Sequence, residues 1–152
     1  MEFVPDRLFD FLTVAPHFVP EVLQKPSARN PIAVSLGAIA GSLSRYYLSL
    51  WLPQIFGVDF PYATLAVNLS GSFAMGIITT LTVERALSIA PEVFLLIAIG
   101  FLGSYTTFSS YELDTINLTR FSWQRAIFYW FGSAVCGFLC LYLGVLFTKV
   151  IK

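Results

Sequence analysis

A segment long enough to cross a membrane changes character half-way along. Residues 91–111 begin as the apolar run Phe94-Leu95-Leu96-Ile97-Ala98-Ile99. They continue as Gly100-Phe101-Leu102-Gly103-Ser104-Tyr105-Thr106-Thr107-Phe108-Ser109-Ser110-Tyr111. In lipid every unpaired backbone amide or carbonyl is costly, so irregular backbone at that depth is buried in protein or lines a cavity or ion site. Two glycines, a Thr-Thr pair and flanking aromatics predict an interrupted helix, at a place where something polar binds or passes.

The rest of the chain has the same character. Of 152 residues, 57% are hydrophobic and only 12% charged, against roughly 25% charged in soluble domains. Mean hydropathy is +0.75. A membrane core of about 30 Å needs roughly 20 apolar residues per helix. Segments 31–52, 62–83, 91–111 and 126–148 meet that length. The expected fold is an all-α membrane protein of four transmembrane helices, the third broken near its middle. The first segment is too long, and starts too far into the chain, for a signal peptide.

The connections 53–61, 84–90 and 112–125 are short, the last being the longest and most polar. They leave no room for a soluble catalytic domain and predict antiparallel neighbours. A four-helix unit is too small to enclose a pore and bury its polar groups, so a homo-oligomer is expected. With zero net charge, nothing suggests a nucleic-acid partner.

Residues 1–30 read as an N-terminal extension to a 31–152 transmembrane domain. Pro5-Asp6-Arg7-Leu8-Phe9-Asp10-Phe11-Leu12 is amphipathic, a tail or a helix lying in the interface. Pro16, Pro20 and Pro26 limit anything longer. His17, the single histidine, falls here, which argues against a histidine switch or metal site. Lys25, Arg29, Arg85, Lys149 and Lys152 fall on the side of the termini; Arg120 and Arg125 fall opposite. This narrow bias favours termini inside and leaves insertion in both orientations open.

Few residues in the spans are costly in lipid. Arg45 follows Gly37, Gly41 and Ser44, small residues that allow close helix approach. It either snorkels past Tyr46 and Tyr47, or binds loop carbonyls and raises the potential for an anion. Asn68 either bonds a neighbouring helix or turns its amide hydrogens to a permeation path. Tyr129, Ser133 and Gly137 share one face of the last span. Cys136 and Cys140, without further ligands to complete a metal site, read as small apolar residues. Glu84 and Glu92 bound the second connection and Glu112 follows the third span, so no Asp or Glu is expected deep inside a span, which argues against proton-coupled transport. No nucleophile–base or metalloprotease arrangement marks an enzyme.

Three motifs resemble the Fluc/CrcB fluoride channel family, in order and at matching spacing. They are Gly37-Ala38-Ile39-Ala40-Gly41-Ser42-Leu43-Ser44-Arg45-Tyr46, Val67-Asn68-Leu69-Ser70-Gly71-Ser72-Phe73, and the run from Gly100 to Tyr111. The resemblance implies a dual-topology homodimer of antiparallel subunits with two fluoride pores and a structural sodium ion (Na+) at the dimer centre. It implies passive efflux of cytoplasmic fluoride across the cell (inner) membrane. By the same resemblance Gly103 and Thr106 supply backbone carbonyls to sodium. Phe108 and Tyr111 take the positions of two pore-lining phenylalanines, and Asn68 points into the pore. Arg45 sits near the vestibule, and Tyr129 and Ser133 belong to a polar track. Ala38, Ser42, Ser104, Tyr105 and Tyr111 depart from the family pattern, where Gly, Ala, Gly, Leu and Phe stand.

The physics suits such a pore. Fluoride's barrier is dehydration, and a pore must replace water without trapping the ion. Ring edges of Phe108 and Tyr111 carry partial positive charge, and Asn68, Ser109, Ser110 and Ser133 can donate hydrogen bonds. Carbonyls freed at a break suit a hard monovalent cation. The competing readings are a small drug or cation exporter and a non-transporting assembly subunit, with the aromatics as ordinary packing.

Overall fold

The computed structural model describes residues 25–83 and 90–151. The amphipathic segment 5–12, His17 and most of the connection expected at 84–90 lie outside those residues. Among the described residues every regular element is helical. They are α1 (Pro26–Phe56), α2 (Tyr62–Val83), α3 (Pro91–Phe94), a π-helical segment (Leu95–Leu102), α4 (Gly103–Tyr105), α5 (Phe108–Thr119) and α6 (Trp123–Val150).

α1 is longer than 31–52 at both ends, and the boundary expected at residue 30 falls inside it. Pro26 stands at the start of the helix, where a missing N–H costs nothing. Pro53 removes one hydrogen bond near the far end without stopping the helix, which closes at Gly57 with φ of 82°. That left-handed backbone favours glycine, and the Gly57 N–H donates to the Pro53 carbonyl at 2.9 Å.

Three helical stretches are long and apolar enough to cross a membrane: Tyr62–Thr82, Pro91–Thr119 and Trp123–Val150. α1 has the length, at 31 residues, but its serines and Arg45 dilute its apolar character. Those serines are largely satisfied locally: Ser42, Ser44 and Ser49 donate to the carbonyls of Ala38, Ala40 and Arg45 at 2.7–2.8 Å.

The connection expected at 112–125 is helical as far as Thr119, leaving only residues 120–122 as a turn. Polarity there marks a helix running to the membrane edge. Tyr111 and Leu118, seven residues apart on one face, bury against Ala126 and Tyr129 of α6. Ser122 Oγ caps α6 by accepting the Arg125 N–H. Glu112 and Asp114 therefore lie within the third helical stretch, which also holds Glu92 in its first turn, correcting the expectation that acids stay outside the spans. Asp114 accepts a hydrogen bond from Thr64 Oγ1 at 2.6 Å, level with the first turn of α2.

Two backbone crossings set the helix pairs. A Cβ on Gly37 of α1 would overlap the Leu96 carbonyl oxygen, and one on Gly100 would lie 2.5 Å from the Val34 carbonyl oxygen. A Cβ on Gly76 of α2 would overlap the Leu141 carbonyl, and one on Gly144 of α6 the Phe73 carbonyl. α1 thus lies on the π-helical segment and α2 on α6, in the close approach that small residues permit in membranes. Arg29 pairs with Glu92 at 2.9 Å where α1 meets α3.

Candidate functional site

The interruption in the third stretch is two residues long. Thr106 (φ −77°, ψ 156°) and Thr107 (φ −149°, ψ 118°) are extended between α4 and α5. Asn68 of α2 repairs the gap. Its Oδ1 accepts the Thr107 N–H at 2.8 Å and its Nδ2 donates to the Thr107 carbonyl at 3.0 Å. Thr107 Oγ1 in turn accepts the Ser110 N–H at 3.2 Å, starting α5.

These substitutions free two carbonyls. In an unbroken helix each carbonyl accepts from the N–H four residues on. For Gly103 that donor is the Thr107 N–H, turned to Asn68; for Thr106 it is the Ser110 N–H, turned to Thr107 Oγ1. The outer face of Gly103 is open, the nearest atom to a notional Cβ being the Ala98 carbonyl oxygen at 3.8 Å.

The break is also tied to α1 and α2 by the residues that depart from the family pattern. Ser104 Oγ lies 3.0 Å from the Ala38 carbonyl oxygen, and the Ser104 carbonyl accepts from Arg45 Nε at 3.1 Å. Tyr105 stacks on Phe101, with ring centroids 5.6 Å apart, and its hydroxyl lies 3.0 Å from Ser70 Oγ. Arg45 is thus a carbonyl ligand, beside a small cavity of about 30 Å³ that it shares with Ser49, Thr64, Thr107 and Ser110.

Beside the break runs a groove of about 320 Å³, lined by Asn68 and Ser72 of α2, Phe108 and Tyr111 of α5, and Ser133, Gly137 and their neighbours on α6. It carries no formal charge. The Phe108 and Tyr111 rings lie 5.7 Å apart and tilted by 46°. Phe108 is 74% exposed, while Tyr111 is buried. Ser133 Oγ is buried without a hydrogen-bond partner. The Tyr111 hydroxyl donates to the Trp130 carbonyl and so turns away from the groove.

Asn68, Phe108, Tyr111 and Ser133 are therefore brought together, and three other expected residues are not. Ser109 is exposed, Ser110 faces the Arg45 cavity, and Tyr129 is buried beneath Phe60, ring centroids 5.4 Å apart. Residues 108 and 111 share a helix face that 109 and 110 cannot. Thr107, Ser104 and Ser72 went unassigned in the sequence. The signals were Thr107's place in the Thr-Thr pair, Ser104's departure from the family pattern and Ser72's place one turn after Asn68.

Residues 32–145 match the model of a family described as CrcB-like protein, Camphor Resistance (CrcB). The chain belongs to the CrcB family. A relative from Trichormus variabilis, a fluoride-specific ion channel FluC, is 53% identical over 130 residues, covering 85% of this chain and 95% of the relative. A fluoride-specific ion channel FluC from a Synechococcus species is 54% identical, covering 82% of this chain and 96% of the relative. One of the same name from a Synechocystis species is 44% identical, with 81% and 95% coverage. With three membrane-capable helical stretches, this CrcB protein is a multi-pass membrane protein. The matched span contains the break, the Asn68 clamp and the groove.

Tyr111→Phe is expected to leave ion flux within about threefold of wild type, since the hydroxyl it removes bonds Trp130 rather than facing the groove. Loss of that bond should cost about 1 kcal/mol of stability. Flux assays beside thermal unfolding in detergent check both halves; a complete loss of flux would give the hydroxyl a direct part in conduction.

Proposed function

We propose that this chain is the subunit of a fluoride-specific channel, an ion channel and not an enzyme, through which cytoplasmic fluoride leaves the cell passively. The observation that carries the proposal is the similarity, along nearly their whole length, to proteins named fluoride-specific ion channels. The groove fits such a role. Its walls offer an amide, two serine hydroxyls and two aromatic rings, which can replace part of an anion's hydration without a buried cation to trap it. Asn68 spends one amide hydrogen on Thr107 and keeps the other for the groove. Arg45, held on the Ser104 carbonyl, adds positive potential near the vestibule.

The channel is a homodimer of antiparallel subunits in dual topology, with α1 as a fourth crossing of the lipid membrane in each. The exposed Phe108 and open Gly103 are the surfaces that a second copy would cover. The freed Gly103 and Thr106 carbonyls fit a hard monovalent cation such as sodium. Two oxygens alone coordinate it poorly, and a second copy doubles them. When bound, sodium supplies positive charge that satisfies carbonyls left over at the break. Ser109, Ser110 and Tyr129 would flank the path rather than line this groove.

Nothing in the geometry favours an exporter: Asp114 sits at the rim of the helices, bonded to Thr64. The purified protein in liposomes should release trapped fluoride under a gradient, with chloride efflux at the level of empty vesicles. Folded protein that releases no fluoride above empty vesicles refutes the proposal.

A further inference from the structure

Hydroxyl groups inside membrane helices normally donate to the carbonyl one turn back, leaving nothing unsatisfied. α2 follows that habit almost throughout. Ser70 donates to Ala66, Thr79 to Met75, Thr80 to Gly76 and Thr82 to Ile78, all at 2.7–2.8 Å. Thr64 is tied to Asp114. In α6, Thr148 donates to Gly144 at 2.9 Å. Among the serines and threonines of these two helices, all of them described, the hydroxyls of Ser72 and Ser133 alone make no hydrogen bond. Both line the same groove. The two uncommitted hydroxyls thus lie on opposite walls of one space.

We infer that Ser72 is an anion-binding residue of the pore, forming with Ser133 a second hydrogen-bonding station one helical turn beyond Asn68. The inference rests on the channel proposed above and extends it to a residue that neither the motifs nor the relatives assign. Asn68 and Ser72, four apart, share a face of α2, so an ion leaving the amide meets the Ser72 hydroxyl next. Ser72 also lines the adjoining recess of about 230 Å³ with Thr106, Thr107 and Phe108, which makes it continuous with the break. Gly137 keeps the far side clear: a Cβ there would lie 3.8 Å from Ser72 Oγ. Neither hydroxyl has a helix carbonyl to give up before it turns to the ion. The ligand is a small, strongly hydrated halide, because two neutral hydroxyls and an amide compensate dehydration by hydrogen bonds and not by charge.

The 3.8 Å spacing supplies the test. A serine at position 137 fits at ordinary contact distance and places a hydroxyl where Ser72's would be missed. In fluoride-loaded liposomes Ser72→Ala should lower fluoride efflux about tenfold, the scale of one hydrogen bond to a charged group. Ser72→Ala combined with Gly137→Ser should recover most of it. Ser72→Thr, which keeps the hydroxyl, should stay near wild type. Wild-type flux in Ser72→Ala, or a loss that Gly137→Ser leaves uncorrected while gel filtration shows intact protein, overturns the inference and leaves the channel proposal standing. Absence of flux from the wild-type protein removes both.

Discussion

Asn68→Ala should abolish fluoride efflux, by about a hundredfold or more, and lower the thermal stability of the purified protein. One side chain meets both polar groups of Thr107, accepting its N–H and donating to its carbonyl. Alanine leaves both without partners in a region remote from water. Each buried unsatisfied group costs about 1–3 kcal/mol, so the extended pair at Thr106 and Thr107 loses what holds it. The groove loses its amide at the same time. Asn68→Asp divides the two contributions. A carboxylate still accepts the Thr107 N–H but cannot donate to the carbonyl, and it sets a negative charge beside the proposed anion path. Asn68→Asp should therefore fold better than Asn68→Ala and conduct no better. Efflux at the wild-type level from either variant would disconnect the clamp from conduction.

That clamp also marks where sequence reasoning stops. The glycines and threonines between Gly100 and Tyr111 announce an interruption, because their chemistry suits a continuous lipid-facing helix poorly. Which two residues become extended is a tertiary fact. It is set by an amide arriving from α2, 39 residues earlier in the chain, and no local propensity contains it. The interhelical bond of Asn68 is present, and because a side-chain amide carries two hydrogens it leaves one for the proposed pore role. Polarity misplaced the end of the third stretch, since Glu112 and Asp114 sit on the outer turns of α5 while Tyr111 and Leu118 pack on α6. Helix phase, rather than composition, separates Phe108 and Tyr111 from Ser109 and Ser110. It becomes readable only once the start of α5 is known to be Phe108. Ser104 and Tyr105 stood out as departures from a pattern. In the structure they contact Ala38 and Ser70, partners that no local pattern names.

Gly37→Ala should be the most damaging single methyl group in the protein, and Gly132→Ala among the least. A Cβ at Gly37 would overlap the Leu96 carbonyl oxygen and approach the Phe101 nitrogen to 2.8 Å and the Gly100 Cα to 3.0 Å. All three are backbone atoms, so no rotamer change makes room; α1 and the π-helical segment must move apart. Overpacking typically costs about 1–3 kcal/mol, and this case belongs at or above the upper end. The displacement does not stay local, because the π-helical segment runs directly into α4 and the break. Moving it carries the Ser104 carbonyl away from Arg45 and shifts the freed carbonyls at Gly103 and Thr106. Gly37→Ala should therefore lower the unfolding temperature and fluoride efflux together. At Gly132 a Cβ meets nothing within 4 Å, and replacing a helical glycine by alanine gains up to about 1 kcal/mol. That variant should match or exceed wild-type stability with unchanged flux. Thermal unfolding and liposome efflux on the two proteins side by side provide the comparison. Equal behaviour of the pair would mean that α1 does not cross the third stretch at Gly37 and Gly100.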